Sequence, residues 1–335
     1  MKDRQRGPCG GANSHKRKNP TIVEIAVVGT GVIGRSWIRV FARAGCRTHV
    51  YDPSPRQLEN ALTWLEEDLN LDVADGFINA KDAAEQRAKV TAHQDLSEAL
   101  DGVGYVQESG PEQLDLKKDI FLHLDRTASI QAILGSSTSG LDMTEIAWGL
   151  PGAQRCIVTH PVNPPHVIPV VEVLGGKHTD PGVITRTREF LTSIGQKPVS
   201  LNSYVSGFLL NRMQAALVRE AIQLVERGVA DVAAVDTVIC EGLGLRWALM
   251  GPFGVANTNA DGGLREYFTR YREGYIEDMN DLAPTPCLDQ EMIERLGRRT
   301  DAMFNSASRR EIRRWRDRAV RKICSVKQSD PAPFA

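Results

Sequence analysis

One short stretch limits the folds open to this chain more than any other. The apolar run VEIAVV leads into Gly29-Thr30-Gly31-Val32-Ile33-Gly34, and an apolar helical pattern with Ile38, Val40, Phe41 and Ala44 follows at once. A second β-branched run, RTHVY, ends at Asp52, eighteen residues after Gly34. A strand, a glycine turn, a helix and a second strand closed by an acid form the order of a dinucleotide-binding βαβ unit. Each residue type has a physical reason. Gly29 allows the tight turn, Gly31 lets the backbone approach a pyrophosphate, and Gly34 lets helix and strand pack closely. The pyrophosphate would rest on free N–H groups at the positive end of the helix. Asp52 would accept from the ribose hydroxyls of the adenosine half, and its charge would repel a 2′-phosphate. The expected cofactor is therefore NAD rather than NADP, although Arg47 and Arg56 lie close to Asp52 in sequence. Nothing later in the chain resembles a second flavin-binding segment.

The pattern around this unit extends it. GYVQES, QAILGSS and RCIVTH are further short runs rich in Val, Ile and Leu, as strands covered on both faces should be. Helical periodicity fills 33–45, 55–70, 81–89, 112–127 and 181–194. Alternation of this kind specifies an α/β, doubly wound, mainly parallel Rossmann-type sheet. VIPVVEVLG and QKPVSLN add two strands at its end. After Tyr204 the period becomes helical. GFLLNRMQAALVREAIQLVERG stops at Gly228, Asp231 can cap the next helix, and amphipathic segments recur near 262–273, 288–303 and 308–324. The expected organisation is a basic tail over 1–20, an NAD-binding domain over 21–203, a smaller all-α domain over 204–327, and a short tail over 328–335.

Composition excludes several functions. Lys plus Arg is 41 and Asp plus Glu is 42, so no overall basic charge points to nucleic acid. No apolar run approaches the ~20 residues that cross a bilayer, so no membrane partner is expected. The six cysteines are scattered without a CxxC pair. They read as free thiols of a reducing, cytoplasmic compartment. Residues 1–20 hold six Lys/Arg against one Asp, without the apolar run of a secretory signal. They read as a disordered tail, with a polyanion or nuclear-import patch at His15-Lys16-Arg17-Lys18 as the other reading. The run 309–322 carries eight Lys/Arg and reads as a solvated helix face, with Trp315 as a packing anchor or a dimer contact.

A second constellation carries chemistry. His160 stands at the end of one strand run, and Glu172 follows twelve residues later inside VIPVVEV. A carboxylate among Val170, Val171, Val173 and Leu174 is costly to bury unless it is paired. A histidine at a neighbouring strand end supplies that partner, giving a base with an orienting acid. Ser139 lies upstream in GSSTSG, where it could also cap the helix that begins in DMTEIA. His160 and His166 are separated by prolines and have no evident third partner, so no metal is expected.

These phrases together resemble the 3-hydroxyacyl-CoA dehydrogenase superfamily, and within it the lambda-crystallin / L-gulonate 3-dehydrogenase branch. VVGTGVIGRSW, YVQESGPEQLDLKKDIF, HPVNPP…IPVVEV, GFLLNRMQ, EGLGLRWALMGPF and RRWRDR carry the resemblance, from about Ile22 to Lys327. It implies a catalytic His160–Glu172 pair, an active-site Ser139 and a substrate-contacting Asn211, which could instead merely bond a neighbouring helix. It implies NAD contacts at Val32, Ile33, Asp52, Glu112 and Lys117, with Asn163 near the nicotinamide. It further implies a homodimer formed through the helical domain. The reaction implied is NAD-dependent oxidation of a secondary alcohol three carbons along from a carboxyl group. Acyl-CoA members carry a small or neutral residue where this chain has Arg246, and a guanidinium matches a free carboxylate. The expected substrate is a free, L-gulonate-like 3-hydroxy acid. A carnitine-like acid or a 3-hydroxyacyl-CoA is the alternative, as is local pairing of Arg246 with Glu241. A crystallin-like structural protein or NADH sensor is the non-enzymatic reading.

Overall fold

A computed structural model describes residues 22–282, 284–304, 308–330 and 332. The basic tail over 1–20 and half of the C-terminal tail over 328–335 lie outside the described residues. The chain divides into two compact units, one ending at Phe208 and the other starting at Leu209.

The first unit is a single eight-stranded sheet with helices on both faces. Its elements are β1 (Glu24–Val28), α1 (Val32–Arg43), β2 (Arg47–Tyr51), α2 (Pro55–Ala74), α3 (Ala80–Arg87), β3 (Val90–His93), α4 (Leu96–Leu100), β4 (Tyr105–Glu108), α5 (Leu114–Thr127), β5 (Ile133–Ser136), α6 (Met143–Ile146), β6 (Cys156–Pro161), β7 (Val170–Gly175), α7 (Pro181–Ser193) and β8 (Lys197–Ser200). The strand order is β3-β2-β1-β4-β5-β6-β7-β8. All neighbours pair in parallel except β6 and β7. The order reverses between β1 and β4, so their C-terminal ends open a crevice where doubly wound sheets bind ligands.

Burial follows the pleat. Ile25, Val27, Tyr105, Ile133, Ile157, Val171 and Val173 join the core beneath α1 and α7, with Phe41 and Phe190. Ala26, Val28, Val106, Leu134, Val158 and Leu174 join the core on the opposite face, with Phe121, Met143 and Phe208. Every residue of β4, β5 and β6 is buried, as their continuous apolar runs require. β3 was not legible, because VTAH in KVTAHQD is short and polar and only Val90 is buried. Its place at the edge of the sheet tolerates such a sequence.

A buried cation ties three helices together on the α1 face. Arg39 is 3% exposed. Its guanidinium bonds Asp68 at 2.9 Å and also Asp72 and Gln86. Removing the arginine would leave two inward carboxylates without their cation.

The second unit is all helical: α8 (Leu210–Glu226), α9 (Val232–Thr237), α10 (Gly244–Trp247), α11 (Pro252–Thr258), α12 (Gly263–Asp281), α13 (Gln290–Met303) and α14 (Arg309–Ser329), with a π turn between α9 and α10. Asp231 caps α9 through the Ala234 N–H, as its position predicted. Ser308 and Glu311 form a reciprocal capping box at the start of α14. That helix runs to Ser329, past the end near 324 expected for its amphipathic segment. Trp315 is 63% exposed, so it does not anchor packing within its own unit.

Arg39→Ala should destabilise the protein by about 3–5 kcal/mol, the usual cost of stranding buried charge. Urea unfolding monitored by circular dichroism measures it. A change below about 0.5 kcal/mol would show that the clamp contributes nothing.

Candidate active site

The glycine turn is built as its sequence requires. Gly29 has φ +91, and a Cβ there would sit 2.8 Å from the Ser109 carbonyl carbon. A Cβ on Gly34 would sit 1.9 Å from the Gly29 oxygen. Gly31 differs, because a Cβ there meets nothing within 4 Å. Packing within the protein does not demand its bareness, so the open side faces space a ligand can use. Gly31 precedes α1 without a side-chain cap, and no acid occupies the first turn. The first N–H groups of a twelve-residue helix are thus left for an anion. Val32 is exposed and Ile33 half-buried at the same rim.

Asp52 is oriented by this turn. Its Oδ2 accepts from the Thr30 N–H at 2.8 Å and the Thr30 hydroxyl at 2.9 Å, and its Oδ1 accepts from the Ser54 N–H at 2.9 Å. A carboxylate has about four acceptor positions, so capacity remains for a ribose hydroxyl. Arg47 lies at the far end of β2 and pairs with Glu24, so it offers nothing to a 2′-phosphate beside Asp52.

His160 and Glu172 meet by strand register. β6 and β7 run antiparallel with His160 directly opposite Glu172. The His160 Nδ1 lies 2.7 Å from the Glu172 Oε2, and both residues are buried. The imidazole stacks at a tilt on Phe208, centroid to centroid 5.5 Å. The Glu172 carboxylate is placed to accept from Nδ1–H of the imidazole.

Between these two features lies a dense polar layer. Glu112 Oε1 accepts from the Thr138 hydroxyl at 2.7 Å, the Ser139 N–H at 2.8 Å, the Ser139 hydroxyl at 3.1 Å and the Gly140 N–H at 3.1 Å. Ser139 therefore belongs to a loop fixed by Glu112. The cap of α6 is Asp142, which accepts from the Thr144 N–H. Lys117 is buried, and its Nζ holds both oxygens of Glu108 at 2.7 and 3.0 Å, with Glu112 Oε2 at 3.7 Å. Glu108 and Phe208 escaped the sequence reading. The acid closing the buried VQE run, like Asp52 closing RTHVY, was the available signal for Glu108. Asn163 is exposed in the loop after β6, and its bond to Pro164 is cis.

The parallel strands β1, β4, β5 and β6 all end at one edge of the sheet. The glycine turn and His160 share that edge, three strand spacings or about 14 Å apart. Asn211 stands in the first turn of α8, and Arg246 is exposed on α10, both in the second unit. Among the described residues no group of three His, Cys, Asp or Glu side chains could hold a metal. No helix among them is long and apolar enough to cross a membrane.

Residues 24–204 match the NAD binding domain of 3-hydroxyacyl-CoA dehydrogenase, and residues 207–306 match its C-terminal domain. The chain belongs to the 3-hydroxyacyl-CoA dehydrogenase family. It is an NAD-dependent oxidoreductase acting on CH–OH groups. The lambda-crystallin homolog of Bos taurus is 37% identical over 313 residues, covering 92% of this chain and 96% of that protein. The L-carnitine dehydrogenase of Oceanobacillus iheyensis is 33% identical over 314 residues, covering 90% and 97%. The solved 5-formyl-3-hydroxy-2-methylpyridine 4-carboxylic acid 5-dehydrogenase, an NAD+ dependent dismutase, superposes with a TM-score of 0.75 at 28% identity, covering 92% and 98%.

The two glycines separate folding from cofactor binding in this family member. Gly34→Ala should lower the melting temperature and abolish NADH binding, because its Cβ collides with backbone. Gly31→Ala should melt within a few degrees of the parent yet bind NADH at least tenfold more weakly. Thermal melts and NADH fluorescence titration read both. Unchanged affinity in Gly31→Ala would contradict the pyrophosphate assignment.

Proposed function

We propose that the enzyme oxidises the 3-hydroxyl of a free, L-gulonate-like hydroxy acid to the 3-keto acid, with His160 as the base and Glu172 as its orienting acid. The His160–Glu172 bond across β6 and β7 is the observation that carries this reading. Oxidation of an alcohol removes a hydride and a proton. Bound NAD supplies the hydride acceptor. Loss of hydride alone would leave a protonated carbonyl, so a base must take the hydroxyl proton as the hydride leaves. His160 Nε2 takes that proton. Glu172 holds Nδ1–H, fixes the tautomer and stabilises the imidazolium. Ser139 donates to the substrate oxygen once its hydroxyl turns from Glu112. Glu112, Lys117 and Asn163 line the cofactor's path in this reading, with Val32, Ile33 and Asp52.

For the second unit the proposal is chemical. Asn211 supplies an amide donor to the substrate oxygen, and Arg246 supplies a guanidinium for the free carboxylate. The relatives point the same way. L-carnitine, named in one of them, is a free 3-hydroxy acid, and a carboxylic acid is named in the solved dehydrogenase. A homodimer through the helical unit is part of the same proposal. Met213, Leu217, Trp315, Ile323 and Val326 are exposed in the single chain, more large apolar surface than one small helical unit ordinarily leaves to water. The free described cysteines support a cytoplasmic location.

A panel of L-gulonate, L-carnitine, 3-hydroxybutyrate and 3-hydroxybutyryl-CoA, followed by NADH absorbance, tests the substrate. A free acid should be preferred. Arg246→Met should cost roughly 10–100-fold in kcat/KM for it, from about 1.5–3 kcal/mol for a charged hydrogen bond. His160→Ala should cost about 10²–10⁴-fold in kcat. Strong preference for the CoA ester would reject the carboxylate reading, and near-normal turnover of His160→Ala would reject the base.

A further inference from the structure

A short segment at the end of the first unit holds the one left-handed residue other than glycine among the described residues. Phe208 has φ +48, directly after Gly207 at +75. The Phe208 N–H donates to the Val205 carbonyl at 3.0 Å and closes the turn. Glycine accepts a positive φ freely, whereas a Cβ in that region crowds the following carbonyl oxygen. A bulky residue stays there only where its surroundings hold it, and such positions gather at active sites. Burial holds Phe208. Its side chain is completely covered, in the core with Val158 and Leu174. Its ring lies against the His160 imidazole, centroids 5.5 Å apart and planes at 56°.

The same segment reaches the serine loop. Tyr204 meets Phe208 edge to face, centroids 6.3 Å apart and planes at 83°. The Tyr204 hydroxyl donates to the Gly140 carbonyl at 3.0 Å. The Gly140 N–H donates to Glu112 Oε1 at 3.1 Å. Gly140, next to Ser139, is therefore held at its N–H by Glu112 and at its carbonyl by Tyr204. Tyr204 is 43% exposed and belongs to neither apolar core, so burial does not account for its place.

We propose that Tyr204 and Phe208 form an aromatic bracket that holds the Ser139 hydroxyl and the His160 imidazole at their working separation. Both are positioning residues: Tyr204 acts through the serine loop and Phe208 through the imidazole. Ser139 follows β5 and His160 stands in β6. Both act on one substrate oxygen in the proposed reaction, on which this inference rests. A donor and a proton acceptor can serve the same oxygen only if each lies within hydrogen-bond reach of it. Pairing of β5 with β6 ends at Ser136 opposite Val158, before either side chain. The sheet alone therefore fixes neither the serine loop nor the tilt of the imidazole about its bond to Glu172. The Phe208 ring opposes a swing of the imidazole, and the Tyr204 hydroxyl opposes a lift of the loop.

Double-variant cycles on kcat test the bracket, using the preferred substrate of the panel, with NADH affinity and thermal melting measured on the same samples. Tyr204→Phe removes one hydroxyl at an exposed position and should melt as the parent does. Its kcat should fall about three- to tenfold, the loss of one hydrogen bond, with KM and NADH affinity within about twofold. Phe208→Leu and Phe208→Gly should lower kcat by about tenfold or more in the same pattern. Glycine suits the left-handed backbone, so a parent-like kcat in Phe208→Gly would mean that only the turn matters and would overturn the role of the ring. In the Ser139→Ala background Tyr204→Phe should cost nothing further, and in the His160→Ala background neither should Phe208→Leu. Losses as large in those backgrounds as in the parent, or a parent-like kcat in Tyr204→Phe, would overturn the proposal. Should the Phe208 variants not fold, the Tyr204 cycle decides alone. Parent-like turnover of Ser139→Ala or His160→Ala would instead reject the donor or the base, and it is seen before any double variant is made.

Discussion

The antiparallel pairing of β6 with β7 is the constraint on which the candidate site depends. Six strands run one way and deliver their C-terminal ends to one edge, while β7 and β8 run the other way. The reversal sets His160 opposite Glu172 and lets a twelve-residue sequence interval collapse to one hydrogen bond of 2.7 Å. The pleat makes the register exacting. A slip of one residue would turn Glu172 to the face of Val171 and Val173 and put a valine against the imidazole. Packing of Phe208 against the ring and burial of the carboxylate reinforce the same register.

Charge pairs elsewhere in the unit share this logic of placement. Buried ion pairs are weak sources of net stability, because desolvation offsets most of the attraction. Their value lies in fixing geometry. Glu108 neutralises Lys117 beneath the strand ends, and Glu112 gathers the Thr138–Gly140 loop through four hydrogen bonds. Asp52 ties the end of β2 to Thr30 in the glycine turn. The C-terminal edge is thus preorganised by carboxylates facing inward, while a Cβ at Gly31 would meet nothing and α1 begins without a side-chain cap.

Legibility in the sequence tracked the range of the interactions. The glycine turn and Asp52 were legible because their spacing is local, and Gly29 and Gly34 have a steric reason visible in the contacts. Strands buried on both faces announced themselves by continuous Val, Ile and Leu, and the cap at Asp231 by its place before a helix. β3 was missed because an edge strand can be short and polar. Ser139 and Asp142 were confused as helix caps because both precede the same short helix and only the backbone angles select between them. The partner of Lys117 and the aromatic behind His160 depend on long-range pairing, which no local pattern encodes. Trp315 reads as a packing anchor or a dimer contact by residue type, and it is exposed in the single chain.

The protonation of the His160 ring tests the central claim most directly. Nitrogen-15 NMR on the NAD-bound enzyme, with His160 assigned by comparison with His160→Gln, distinguishes the two tautomers near neutral pH. The proposed mechanism requires a protonated Nδ1 donating to Glu172 and a bare Nε2 ready to accept a proton. A ring whose Nε2 carries the proton while Nδ1 is bare would contradict the account, because the nitrogen left for the substrate would have no capacity to act as its base.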